Sequence, residues 1–148
     1  MKNTDKTILH LCADIGSDSQ PYADAGYNVR LIGSDIGVEN YHPPDNVYGI
    51  IANPVCTMLS WCRTNAATPR DLEKGLYLVK ECLRIIWEAQ YNLKTDNAKK
   101  TTLRFWMLEN PAKGFLQQFL GIPALTYNDA GILLYLTTIL LALHQPNS

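Results

Sequence analysis

The clearest pattern along the chain is a set of short apolar segments separated by turn-forming residues. Thr7–Leu11, Val47–Ala52 and Leu103–Leu108 are nearly continuous apolar runs, whereas Asn28–Ile32 alternates between apolar and polar positions. Such runs, bounded by Gly, Pro, Asn or Asp, are typical of β-strands, and continuous runs are typical of strands buried on both faces. The pattern predicts four strands of a mostly parallel sheet.

Helical patterns occupy two of the intervening segments. Ser19 is predicted to cap a short helix that has Pro21 in its first turn and Gly26 just past its end. Apolar side chains recur at helical spacing over Pro69–Leu93, which predicts the longest helix, preceded by Thr68. Because parallel strands need crossover connections, the alternation predicts an α/β fold.

The segment at residues 129–148 is unlike the rest of the chain. It is strongly apolar, and we predict that Ala130–Leu143 forms a helix packed against the domain or against a second copy, giving a homo-oligomer. The run Ile132–Leu143 falls short of the roughly 20 residues of a membrane-spanning helix. No apolar stretch near the N-terminus has the length of a signal peptide. We therefore expect one cytoplasmic domain over residues 1–148, without membrane association.

Composition adds three constraints. The chain has 148 residues and is 47% hydrophobic, enough for a domain with its own core. Its four cysteines form no Cys-x-x-Cys pair, so we expect no metal site. The net charge is −1, but residues 1–62 carry three basic and seven acidic side chains, while residues 63–148 carry ten and seven. A polyanionic partner is therefore expected to contact the second half.

Candidate chemistry lies where the predicted strands end. Asp14 follows the first strand, Asn53-Pro-Val-Cys56 follows the third, and Glu109 follows the last. Because ligands bind at the carboxyl ends of strands in open α/β sheets, Cys56 is a candidate nucleophile and Glu109 a candidate acid. Each also has a simpler interpretation, since Cys is often a core residue and a strand-end Glu is often a surface charge.

Three segments together resemble a known family. Leu9–Gly16, Asn53–Ser60 and Leu108–Pro111 resemble the cofactor loop, the Pro-Cys loop and the Glu-Asn-Val motif of cytosine-C5 DNA methyltransferases, particularly short phage and prophage proteins of that type. The resemblance spans about residues 7–125. It implies a Rossmann-like core that binds S-adenosylmethionine and acts on DNA.

The resemblance also implies roles for individual residues. Cys56 would add to C6 of cytosine and Glu109 would engage N3, with Asn110 in the same catalytic motif, so that C5 accepts the methyl group. A nucleophile and an acid are needed together for this addition. The implied cofactor-binding residues are Asp14, Ile15, Gly16, Asp35, Ile36, Asn53 and Pro54.

Differences from the family keep two other interpretations open. Asp14 stands where the family has a glycine, Val55 separates Pro54 from Cys56, and residues 129–148 match no family segment, so the C-terminus is interpreted as truncated or altered and lacks a recognition domain. These differences favour an inactive methyltransferase-like binding or interaction module. The pair Asn53-Pro54 also resembles the loop of methyltransferases that act on exocyclic amines.

Overall fold

The computed structural model describes residues 2–63, 65–91, 102–121, 125–127 and 132–138. Short 3₁₀ turns cover Asn3–Asp5 and Ser17–Ser19. The described helices are α1 (Gln20–Asp24), α2 (Leu72–Gln90) and α3 (Leu116–Leu120). The described strands are β1 (Thr7–Leu11), β2 (Asn28–Ile32), β3 (Val47–Ala52), β4 (Phe105–Pro111), β5 (Leu125–Tyr127) and β6 (Ile132–Thr138).

These strands form one six-stranded sheet with the order β2-β1-β3-β4-β6-β5. The first four strands in that order pair in parallel, which confirms the predicted α/β class and parallel sheet. β1, β2 and β3 lie at the predicted residues. The chain leaves β1 toward β2 on one side and later returns to place β3 on the other side, so the strand order reverses between β1 and β3. In open α/β sheets, such a point opens a crevice at the carboxyl edge.

The core lies between the central strands and α2. All five residues of β1 are buried, and Leu9 packs in the same cluster as Ile50 of β3 and Val79 and Ile86 of α2. β2 is an edge strand, and three of its five residues are exposed. The continuous apolar runs of β1 and β3 are thus almost fully buried, whereas the alternating run is the exposed edge and the apolar start of β4 is only partly buried.

The longest helix begins later than the sequence predicts. α2 starts at Leu72, and its N-cap is Asp71, whose carboxylate accepts a hydrogen bond of 2.9 Å from the Lys74 amide. The preceding Arg70 donates to the carbonyl groups of Met58 and Ser60. These contacts hold Arg70 against the loop after β3, so Thr68 is not the cap. The predicted end at Leu93 lies outside the described residues.

β4 extends further than predicted and starts later, at Phe105 rather than Leu103. Its parallel pairing with β3 ends at Ala52 opposite Leu108, but its antiparallel pairing with β6 continues to Pro111 opposite Ile132. Glu109 and Asn110 therefore lie within β4 rather than after it. Their backbone is held by β6 while the β3 side is already open, which leaves their side chains at the carboxyl edge.

The predicted helix over Ala130–Leu143 is wrong for residues 132–138, which form β6. A short apolar run does not distinguish a buried helix from a buried strand by periodicity alone. Here the open edge of β4 supplies hydrogen-bonding partners, and β6 pairs with it over seven residues. The remainder of the predicted helix lies outside the described residues.

Two leucines test the difference between central and edge strands. Leu9 of β1 is fully buried, whereas Leu31 of β2 is 41% exposed. We expect Leu9→Ala to lower the free energy of unfolding by about 2–5 kcal/mol through the cavity it leaves. Leu31→Ala, the matched change, should cost about 1 kcal/mol or less. Urea denaturation measures both, and equal losses would contradict the assignment of β1 to the sheet centre.

Candidate active site

Asn53 joins two carboxylates at the carboxyl edge of the sheet. It follows β3 directly, and its backbone N–H donates to the Leu11 carbonyl at the end of β1. Its side-chain Nδ2 donates to Asp18 at 3.0 Å and to Glu109 at 3.1 Å. One amide thus brings together acidic groups from the loop after β1 and from β4.

The orientation of the Asn53 amide is set by a buried histidine. His10 lies in β1 and is only 3% exposed, with Nε2 3.0 Å from Asn53 Oδ1 and Nδ1 2.9 Å from Ser19 Oγ. Because Asn53 directs its nitrogen at two carboxylates, its oxygen accepts from His10 Nε2–H. His10 therefore positions Asn53, and both of its ring nitrogens have partners.

Ser19 links this chain to the turn after β1. Its hydroxyl lies 3.0 Å from the Gly16 carbonyl, and Gly16 has a φ of +80°. Residues other than glycine rarely adopt this backbone conformation, so glycine at position 16 permits the turn. Ser19 is the N-cap residue of α1, as predicted, but its side chain makes no capping bond; its hydroxyl donates to the Gly16 carbonyl and lies 2.9 Å from His10 Nδ1.

The loop that carries Cys56 is tied to the segment after β4. Asn110, which is 1% exposed, donates from Nδ2 to the Pro54 carbonyl at 3.1 Å. Further along both segments, the Trp61 N–H donates to the Lys113 carbonyl and the Phe115 N–H donates to the Leu59 carbonyl. Asn110 therefore acts on the loop backbone, as a positioning residue for Cys56.

Cys56 is half-buried, and its environment opposes ionisation. Burial raises the pKa of the Cys56 thiol, a hydrogen bond with its own backbone opposes that increase, and the Glu109 carboxylate adds to it. Geometry relates the two groups indirectly, since Glu109 bonds to Asn53 and the next residue of β4, Asn110, bonds to Pro54 in the loop that carries Cys56. Removal of the Glu109 charge by substitution would therefore favour the Cys56 thiolate.

A cleft of about 440 Å³ lies beside this network, at the ends of β1 and β2. Its walls include Asp14, Glu39, Val55 and the α2 residue Leu78. The loop that carries Glu39 is held by Arg84 of α2, which donates to the carbonyls of Val38, Glu39 and Tyr41. Val55 precedes Cys56, so the Cys56 loop contributes to the wall of the cleft.

One of the residues that line the cleft, Cys12, pairs with a buried cysteine. Cys12 follows β1 with a φ of +53°, and its sulfur lies 3.7 Å from that of Cys82 in α2. The hydrogen bond from Cys82 lowers the pKa of Cys12, against the opposing effects of burial and of the Glu39 charge. The same bond raises the pKa of Cys82, so Cys12 is the more readily ionised of the two thiols. Both thiols are free.

The predicted cofactor residues do not lie together, and only Asp14 lines the cleft. Asp14 lines the cleft, whereas Asn53 belongs to the polar network and Pro54 is buried beneath it. Ile15 and Ile36 are 83% and 54% exposed. Gly16 shapes the turn, and Asp35 is exposed on the loop after β2.

Three residues of the site were not predicted: His10, Ser19 in its bonding role, and Glu39. One signal was present in the sequence, since His10 is a polar residue inside an otherwise apolar strand. A polar group at such a position needs buried partners. The partners of His10 are Ser19 and Asn53, which are 9 and 43 residues away in the chain, so the local sequence could not identify them.

Comparison with protein-family models, with curated proteins and with solved structures finds no match to this chain. Among the described residues, no group of three or more His, Cys, Asp or Glu side chains could hold a metal ion. The described helices also include none with the length and apolar character needed to cross a membrane. Functional inference therefore rests on the geometry of the carboxyl edge.

The coupling between Glu109 and Cys56 is measurable by alkylation. Glu109→Gln removes the carboxylate that raises the Cys56 pKa, so more thiolate is present at pH 8. We expect iodoacetamide to modify Cys56 roughly two- to fivefold faster in the variant, the size expected of one partly screened charge interaction. Peptide mass spectrometry resolves each cysteine. Exposed Cys62 is the internal reference, and Asp24→Asn should leave both rates unchanged. An unchanged or slower Cys56 rate in Glu109→Gln would contradict the coupling.

Proposed function

We propose that this protein is a methyltransferase whose Rossmann-like core binds S-adenosylmethionine. The support is the position of the cleft, which lies beside the reversal of strand order between β1 and β3. Its volume, about 440 Å³, falls among small-molecule sites, which span roughly 300–1,000 Å³.

The chemistry of the cleft fits this cofactor. Asp14 and Glu39 bring carboxylates to walls that are otherwise largely apolar, as Val38, Val55 and Leu78 illustrate. Carboxylates accept hydrogen bonds from ribose hydroxyls and from the ammonium group of the methionine part, while apolar side chains suit the adenine ring. When bound, S-adenosylmethionine supplies an electrophilic methyl group.

Within this class, the proposed acceptor is C5 of cytosine in DNA. The observation that carries this proposal is the junction of Cys56, Asn53 and Glu109 at one sheet edge. Asn53 bonds to Glu109, and the Glu109 charge acts on Cys56. Asn110 holds the intervening loop through the Pro54 carbonyl.

This arrangement matches the needs of addition to a pyrimidine. Cys56 Sγ forms a bond to C6, and the ring electrons move toward N3, where Glu109 supplies a proton or a hydrogen bond. C5 would then be nucleophilic enough to accept the methyl group of S-adenosylmethionine, which would leave as S-adenosylhomocysteine. Loss of the C5 proton to water with cleavage of the C6–S bond would restore the ring and release the Cys56 thiolate.

Methylation of an exocyclic amine would need a free Asn53 amide. Both ends of that amide are already engaged, its oxygen by His10 and its nitrogen by Asp18 and Glu109. This bonding favours a structural role for Asn53 and the cytosine-C5 reaction over the amine reaction. An inactive binding module would have the same fold without the cofactor affinity.

Cofactor binding is tested first with S-adenosylhomocysteine. We expect isothermal titration calorimetry to detect binding, and Asp14→Ala to weaken it by about ten- to a hundredfold, because one charge-assisted hydrogen bond is worth roughly 1.5–3 kcal/mol. Asp24→Ala, in α1 and outside the cleft, is the control. If no heat is released by the unsubstituted protein, the binding-module interpretation takes precedence.

Methyl transfer is tested with radiolabelled S-adenosylmethionine and cytosine-containing DNA. We expect Cys56→Ser and Glu109→Gln each to remove nearly all turnover, since nucleophile and acid act as a unit. Cys62→Ser, an exposed cysteine in the same loop region, should retain activity. Nucleoside analysis identifies the product. A product methylated on an amino group, or turnover that survives Cys56→Ser, would exclude the proposed mechanism.

A further inference from the structure

Two chain segments, residues 59–61 and 113–115, form a short platform beside the Cys56 loop. The Trp61 N–H donates to the Lys113 carbonyl at 2.9 Å, and the Phe115 N–H donates to the Leu59 carbonyl at 2.9 Å. Gly114 lies between Lys113 and Phe115 and is so close to the other segment that an added Cβ would lie 2.8 Å from the Leu59 carbonyl oxygen. The platform is thus tied by backbone contacts on both sides of Gly114.

Trp61 is held on this platform but remains open to solvent. Its ring packs edge-on against Phe115, with centroids 6.1 Å apart, yet the residue is 47% exposed. The guanidinium of Arg70 lies 5.0 Å from the centroid of the same Phe115 ring. It is held there by hydrogen bonds to the Met58 and Ser60 carbonyls. The indole therefore has a supported position before any ligand arrives.

The platform is basic, whereas the neighbouring loops are acidic. Residues 53–70 and 111–121 contain Arg63, Arg70 and Lys113 but no acidic residue. None of these three side chains forms an ion pair with a carboxylate in the part of the chain that the structure describes. Residues 13–39, around the cleft, contain five acidic residues and one basic residue. A polyanion is therefore attracted to the platform and repelled from the cleft.

We propose that Trp61 stacks on a base of single-stranded DNA, with Arg63 and Lys113 contacting its phosphates. An exposed aromatic ring flanked by cations is the arrangement that binds unpaired bases without reading their sequence. In a duplex both faces of each base are covered by neighbours, so the indole selects an unstacked strand. Ser60 donates its N–H to the Cys56 carbonyl, which places the platform within one turn of chain from Cys56. The choice of DNA as the polynucleotide rests on the function proposed above.

The test uses a short fluorescein-labelled oligothymidylate, which contains no cytosine and so separates binding from methyl transfer. Fluorescence anisotropy should show binding that weakens with salt, and Trp61→Ala should weaken it by roughly ten- to a hundredfold. Trp61→Phe, which keeps an aromatic face, should retain most of the affinity. Trp87→Ala is the matched control, because Trp87 is 55% exposed on α2, outside both segments. Lys113→Ala should reduce the slope of log K against log salt by about 0.7.

Equal affinity of Trp61→Ala and the unsubstituted protein would overturn the proposal, as would an equal loss in Trp87→Ala or equally tight binding of a duplex. Urea denaturation of each variant checks folding, and Trp61→Phe provides a second measurement if Trp61→Ala is unstable. Binding that depends on Trp61 without any affinity for S-adenosylhomocysteine would support the platform and remove the methyltransferase. Cytosine methylation by Trp61→Ala at an unchanged KM for DNA would support the methyltransferase and exclude the role of Trp61 in DNA binding.

Discussion

The parallel pairing of β1 with β3 is the constraint on which the rest of the site depends. The two strands end in register, with Leu11 opposite Ala52, and the chain then turns away from the sheet in two different loops. β2 lies on the other side of β1, and the cleft is lined by the loops after β1 and β2, by Val55 after β3 and by Leu78 of α2. Residues separated by about forty positions in the chain meet at this edge because parallel strands direct their carboxyl ends the same way.

The order of the strands brings the side chains of the polar network together at this edge. Asn53 takes its place from β3, Glu109 from β4 and His10 from β1, so three strands determine one set of hydrogen bonds. Around that network the charge is divided, with acidic loops beside the cleft and a basic, aromatic surface beside Cys56. Cationic and anionic ligands would thus be attracted to different sides of the Cys56 loop.

Part of the candidate site could be predicted from local sequence. Cys56 and Glu109 were identified because each stands near the end of an apolar run, and strand ends are where α/β proteins bind ligands. The roles of Asn110 and His10 were not predictable in the same way. Asn110 bonds to Pro54, and His10 bonds to Ser19 and Asn53, and only the folded sheet brings these groups into contact. Ser19 shows the same limit, since its position at a helix start was correct but its hydroxyl serves a distant partner.

The sequence by itself determined the α/β class and the positions of β1, β2 and β3, because apolar runs between turn formers encode buried strands locally. Tertiary structure decided the boundaries that depend on partners. α2 starts at Leu72 because Arg70 is held by the loop after β3, and β4 reaches Pro111 because β6 pairs with it. Residues 132–138 form a strand rather than the predicted helix for the same reason. An apolar run is compatible with either structure, and the unpaired edge of β4 offered it hydrogen bonds that only a strand can make.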